Sequence, residues 1–327
     1  MTKKGTLLVF ICFLSCAEVK KSRYVPNSSG NINSVNVVMT QKHWKGNLGI
    51  KTRDVLGELY EGLPMDEPQY SFNYLEPKVF KGFARQSRNI ILFETDSLPG
   101  LNVVSNIYAN PQVLVIIKGK DSDEMIFYLE ENAPLIRGLF YENERKEKLR
   151  RMSKSLSKEN EIVNRFGIKL KYPSAYNVVK DTANFTWIQK QIPKGHLNLI
   201  VYRVPKNAIT DKINESIPKI RDSIGRIYIP GRLKNSYMIT EKAYRPYYYK
   251  TVIDQNKTYI TKGTWEVAND FMAGPFVNYA ILEPSGEKYT MVEGFAFAPS
   301  ASKRDFMFEL ETIIKPSINP PKEIETK

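Results

Sequence analysis

Cysteine and histidine are almost absent from this chain. Its 327 residues include two cysteines, Cys12 and Cys16, and two histidines, His43 and His196. Two histidines cannot build a three-histidine zinc centre, and no cysteine cluster or zincin helix supplies other ligands. A serine triad would have to use one of the two, and no Gly-x-Ser-x-Gly elbow presents a nucleophile. His43 adjoins Trp44 in a loop-like stretch, and His196 follows Pro193-Lys-Gly195 at a turn. Both read as surface residues rather than catalysts. A Walker loop, a dinucleotide fingerprint and an EF-hand loop are also missing, which argues against nucleotide-driven and calcium-sensing functions. No cofactor and no metal are expected.

Long hydrophobic runs are lacking too. A membrane-spanning helix needs about 20 apolar residues, and the apolar run from Leu7 to Leu14 falls well short. It follows Lys3 and Lys4 and ends at Ser15-Cys16, with Glu18, Lys20 and Lys21 just beyond. A positive start and a short apolar core are the marks of a secretory signal peptide. Phe13-Leu14-Ser15-Cys16 resembles the lipobox read by the bacterial lipoprotein signal peptidase, with Phe13 where leucine is usual. That resemblance implies removal of residues 1–15 and acylation of Cys16 as the first mature residue. Cys12 would be discarded, so no intramolecular disulfide could form. One acyl chain binds a membrane marginally, whereas two or more hold it stably. The expected location is the cell envelope, with a lipid anchor in the membrane. No acidic run follows Cys16, so the periplasmic side is favoured. Residues 17–33 are polar and read as a flexible tether behind the lipidated cysteine.

Charge of one sign is in short supply: Lys and Arg number 48 against 35 Asp and Glu, for a net charge of +13. A basic balance favours anionic partners. Nucleic acid conflicts with an exported, tethered protein, which leaves an envelope protein or an anionic glycan or lipid. The densest basic run, Arg145 to Arg151, is interrupted by Glu147 and preceded by Glu144. It reads as a solvated helix face.

Aromatic residues are plentiful, with 19 Tyr and 16 Phe, and they suit half-buried pleated surfaces. Strands are predicted at 35–39, 70–75, 89–94, 103–109 and 113–118, with a helix over 54–61. Asp121-Ser-Asp-Glu124 has the form of a capping box, opening a long helix towards Ser157 that kinks near Pro134. Further strands follow at 168–172, 185–189, 197–204, 237–239, 247–253 and 259–267. Helices are expected over 211–224 and 303–315. Glu283-Pro-Ser-Gly286 marks a hairpin turn. The order of elements predicts an α+β fold with two related halves, 34–158 and 159–316. Each would be a mainly antiparallel sheet with helices packed on one face. Residues 317–327 read as a disordered tail.

Two motifs bear on function. Asp96-Ser97-Leu98, Asp181-Thr182-Ala183 and Asp222-Ser223-Ile224 each resemble the O-glycosylation sequon of Bacteroidota. Ser97, Thr182 and Ser223 are the implied acceptors, although Asp and Ser are also common at turns and caps. The segment from Gly263 to Phe276, with 62–68 and Phe83-Ala-Arg-Gln-Ser-Arg-Asn89, resembles an uncharacterised family of Bacteroidota lipoproteins known only as a domain of unknown function. The likeness supports the anchor and supplies no activity. Within it, Trp265, Asp270 and Phe271, joined by Arg85 and Arg88, form a candidate binding surface. A packed β-turn around a buried Trp explains the same residues. The leading expectation is a non-catalytic envelope lipoprotein that binds a partner. The alternative is an envelope hydrolase acting on glycan or peptide through paired carboxylates.

Overall fold

Val35, Val37 and Met39 alternate with Asn36 and Val38 in the first strand, and this alternation opens the first of two sheets. The computed structural model describes residues 24–159, 161–253 and 255–318. The expected signal peptide, Cys16, the first part of the tether and most of the expected tail lie outside these residues.

The first half contains β1 (Ser34–Val38), α1 (Gln41–Lys45), α2 (Asn47–Leu56), β2 (Ser71–Leu75), β3 (Asn89–Thr95), β4 (Gly100–Ser105), β5 (Val113–Gly119), α3 (Ser122–Glu131) and α4 (Ala133–Met152). The sheet order is β2-β1-β3-β5-β4. The pairings of β1 with β2, β1 with β3, and β3 with β5 are parallel; β4 and β5 are antiparallel. The α1–α2 pair supplies the crossover that a parallel β1–β2 connection requires. One face packs Val35, Val37, Ile91, Val115 and Ile117 against Leu48, Leu56, Met125, Leu129, Ile136 and Phe140 of the helices. The other face holds a smaller cluster of Val38, Phe80, Ile90 and Leu114.

Two local expectations shift. The helix expected over 54–61 lies earlier, and its last turn ends at Gly57. The long helix after Asp121 is two helices separated at Asn132, and Pro134 sits in the first turn of α4. Proline costs little there, since its missing N–H has no intrahelical partner at that position. The Asp121 carboxylate accepts from Glu124 N–H at 2.9 Å, while the Glu124 carboxylate reaches back to Lys120 N–H at 2.7 Å.

The second half runs α5 (Glu161–Phe166), β6 (Tyr176–Thr182), β7 (Phe185–Ile192), β8 (Gly195–Pro205), α6 (Ile213–Tyr228), β9 (Tyr237–Thr240), β10 (Tyr247–Ile253), β11 (Asn256–Ala268), β12 (Ala273–Leu282), β13 (Lys288–Phe297) and α7 (Arg304–Ile318). Its strand order is β10-β11-β12-β13-β8-β7-β6, with β9 also on β11, and these pairings are antiparallel. The β12–β13 hairpin turns at Glu283–Gly286, where Gly286 adopts a left-handed φ of 72° and donates to Glu283 C=O at 2.8 Å. Glycine takes that conformation without a Cβ clash.

The fold is thus α+β in two halves, as expected, but the halves are built differently. The first sheet is mostly parallel with its helices on one face. The second is antiparallel with helices on both faces. Ile213 and Ile217 of α6 join Ile200, Tyr202, Phe276 and Phe295 on one side. Met307, Leu310, Ile313 and Ile314 of α7 join Leu197, Leu199, Val277 and Val292 on the other. Similar runs of apolar residues suit either arrangement, because pairing direction depends on which strands meet.

Candidate ligand cleft beside the seam between the halves

Helix α7 joins the two halves, and it is buried on most of its circumference. Its apolar side enters the second core, and Phe308 meets the Tyr141 ring of α4 edge-on at 5.6 Å. Its remaining side carries Glu309 and Glu311 into the interior. Glu309 is held by Lys148 of α4 at 2.7 Å and by Lys190 of β7, with a further bond from Tyr176 at 3.0 Å. Glu311 accepts from Lys262 at 2.9 Å and from Tyr60 at 2.7 Å. Burial alone would push both carboxyls up. The charges of Lys148 and Lys190 hold Glu309 below its ordinary value, and those of Lys262 and Lys315 do the same for Glu311. Both carboxylates stay charged because each has cations at hand.

Beside this seam lies a cleft of about 670 Å³. Glu142, Arg145, Leu149 and Met152 reach it from α4. Steps of three and four residues put them on one helix face, because side chains so spaced stack one turn above another. Leu149, Met152, Leu156 and Ile253 give the cleft an apolar lining, and Arg145, Arg150, Lys171 and Lys315 surround it with positive charge.

These cations differ in how far they are committed. Arg145 pairs with Glu142 at 3.0 Å, and Arg150 grips both oxygens of Glu147 at 2.7 and 2.8 Å. Lys315 donates to Tyr141 Oη at 2.8 Å and sits 4.3 Å from the centre of that ring. Burial lowers its pKa, against the pull of Glu311. Lys171 has no hydrogen-bond or ion-pair partner among the described residues. Among the described residues the cleft is therefore apolar within and net positive at its edge, with Glu142 as its lining carboxylate.

The basic run of α4 is only partly the solvated face that its composition suggested. Glu144 and Glu147 are buried, Glu144 against Arg88 and Asn89 and Glu147 beneath Arg150 and Arg151. Alternation of charge along a helix does not reveal which charges meet a neighbouring sheet.

The sequence-predicted binding residues do not form one surface. Arg88 is 1% exposed, bonded to both Glu144 oxygens at 3.0 Å and to Asn31 C=O at 2.6 Å. Arg85 donates to Phe80 C=O at 3.0 Å and lies over the Tyr108 ring at 4.9 Å. Both belong to the first half. Trp265 lies in the second half, 3% exposed, and packs on Phe295. Asp270 is bonded twice to Arg232, at 2.7 and 3.0 Å. Phe271 alone of this set is fully exposed. The reason for the correction is burial: Trp265 and Arg88 are spent on two separate cores.

The three sequons fall in different settings. Ser97 is exposed in the β3–β4 turn, where the Asp96 carboxylate accepts from Leu98 N–H at 3.0 Å. Thr182 is half-buried, and its hydroxyl donates to Phe185 C=O at 3.2 Å. Ser223 is exposed on α6, and neighbouring Asp222 accepts from Thr240 N–H at 2.6 Å.

Sequence reasoning missed the cleft itself. The face 142-145-149-152 was visible as a helical spacing, but Lys171, Ile253 and Lys315 come from distant parts of the chain.

The fold defines a protein of two α+β units clasped by a C-terminal helix. Residues 28–153 match a family model described as a domain of unknown function, DUF8532, and residues 155–316 match a second, domain of unknown function DUF4837. The chain is similar to uncharacterised domain families over both halves. No curated protein matches it.

Proposed function

We propose that this chain is a cell-envelope lipoprotein of the Bacteroidota type, lipid-anchored through Cys16. In this reading the folded part is a non-catalytic binding module facing the periplasm. Its ligand is an anionic amphiphile, an acyl chain with a carboxylate or phosphate head, held in the cleft beside α7. The observation that carries this reading is the pairing of Leu149, Met152, Leu156 and Ile253 with Arg145, Lys171 and Lys315 around one cavity. An apolar wall releases water when an acyl chain covers it, and the edge cations attract an anionic head. The alternative reading, a hydrolase working through paired carboxylates, has one lining carboxylate here among the described residues, Glu142.

Native mass spectrometry of the folded region tests the cleft with palmitate, a lysophospholipid of phosphatidic type and neutral monopalmitin. Palmitate and the lysophospholipid should bind, with monopalmitin about tenfold weaker for loss of the charge-assisted bonds. Equal binding of all three, or of none, sinks the proposal. The anchor is tested separately in the native host. Wild-type protein should take up labelled fatty acid and sediment with membranes, and Cys16→Ser should do neither.

A further inference from the structure

A second cavity lies on the opposite face of the second sheet from the cleft. It measures about 230 Å³, and its walls include Trp187, His196, Trp265, Met272, Phe295 and Phe297. Five of these bring rings to it, and Ile229, Met238, Val267 and Met272 complete the apolar wall. Trp265 meets Phe295 edge-on at 5.7 Å and Phe297 obliquely at 6.3 Å. Trp187 lies 6.4 Å from Phe295, and His196 meets Phe297 edge-on at 5.4 Å.

The walls are held in place by close backbone packing. A Cβ on Gly274 would fall 2.1 Å from Ala296 C=O, and one on Gly231 would fall 2.6 Å from a Val267 methyl. The Trp187 indole is pinned by its bond to Asn198 Oδ1 at 3.0 Å. At the rim, Arg232 is already neutralised by Asp270 through two bonds. The rim therefore asks for no charge on a ligand. Two polar groups of the lining remain unengaged among the described residues: the Trp265 indole N–H is buried without a partner, and the His196 imidazole is likewise left without one. Burial lowers the imidazole pKa, so His196 is neutral near pH 7, with one nitrogen to donate and one to accept.

The geometry points to a binding site for one neutral aromatic ring that carries a hydroxyl or a ring N–H, as in a phenol or an indole. An apolar cavity of about 150 Å³ accommodates benzene, so this volume leaves room for one substituent or a fused second ring. Ring walls favour an aromatic guest by offset and edge-to-face contact. The imidazole supplies a partner for the substituent. The same chemistry could arrive as a free metabolite or as a Tyr or Trp side chain of a peptide. This inference does not depend on the amphiphile cleft.

Three tryptophans make the test direct, because Trp44 stacks on Tyr74 in the other half and serves as an internal control. The indole N–H resonances of the ¹⁵N-labelled folded region are followed during titration. Probes are p-cresol, indole, N-acetyl-tyrosinamide and saturated 4-methylcyclohexanol. Cresol and indole should move the Trp187 and Trp265 signals and leave Trp44 in place. The saturated alcohol should bind about tenfold more weakly, for want of ring contacts. If N-acetyl-tyrosinamide binds like cresol, a peptide side chain is the favoured source; if it does not, a free small molecule is. In His196→Phe the preference for cresol over toluene should fall about fivefold, for loss of one hydrogen bond. His196→Gln should restore part of it. Stationary Trp187 and Trp265 signals, movement of all three together, or equal binding of the saturated alcohol would overturn the assignment.

Discussion

Arg221 of α6 lays its guanidinium across both carboxylate oxygens of Glu293 on β13, at 2.8 and 2.6 Å, with both side chains 1% exposed. The remaining capacity of the pair is taken up locally. Thr240 accepts from Arg221 at 2.5 Å, Asn278 donates to Glu293 at 2.9 Å, and the guanidinium lies 3.4 Å from the centre of the Phe276 ring. A second buried pair, Arg88 with Glu144, ties α4 to the start of β3 in the other half.

Breaking one partner of such a pair strands a charge. Glu293→Ala should therefore lower unfolding free energy by about 3–5 kcal/mol in urea denaturation. The double variant Arg221→Met with Glu293→Leu should recover most of that loss, because no charge is left unpaired. A loss below about 1 kcal/mol for the single change would show that the pair does not hold α6 to the sheet.

Acid should weaken the molecule through α4. Burial pushes Glu147 up, but the hydrogen bonds and charges of Arg150 and Arg151 prevail and bring it from 4.5 to about 2. The folded pKa lies below the unfolded one, so the contribution is complete above about pH 5 and fades as pH falls towards 2. The stability difference between the native chain and Glu147→Gln, measured by denaturation at several pH values, should shrink over that window. A difference that is flat with pH would contradict the assignment.

Neighbours in sequence should respond oppositely to truncation. Trp265→Ala empties a packed site and should cost about 3–5 kcal/mol. Phe271→Ser removes a ring that touches mainly solvent, so thermal unfolding should shift by no more than about 0.5 kcal/mol equivalent. Equal effects would mean that Phe271 is covered by something in solution.

Charge reversal at the cleft separates binding from folding. Lys171→Glu breaks no bond among the described residues, and stability should stay within about 0.5 kcal/mol. Palmitate affinity, read by native mass spectrometry or calorimetry, should fall about tenfold or more. Unchanged affinity would place the anionic head elsewhere.

Local chemistry made much of this architecture legible. Asp121 caps its helix, Glu283 to Gly286 turns its hairpin, and the helix expected over 303–315 is α7, with Phe306, Leu310 and Ile313 on its core side. Each depends on neighbours within a few residues. The candidate surface was less legible, because a Trp beside a Gly-Pro turn looks alike whether it faces solvent or a core.

The sequence by itself determined most of the helices and strands, together with the α+β class and the excess of positive charge, because propensity, periodicity and composition are local or summed properties. It did not determine the absence of a strand at 168–172 or the start of β6. Only the tertiary structure decided strand direction in the first sheet, the burial of Glu144, Glu147, Glu309 and Glu311, and the meeting of Leu149, Lys171, Ile253 and Lys315 around one cleft. Those depend on contacts between residues far apart in the chain, and a carboxylate or an indole carries no local mark of the partner that will cover it.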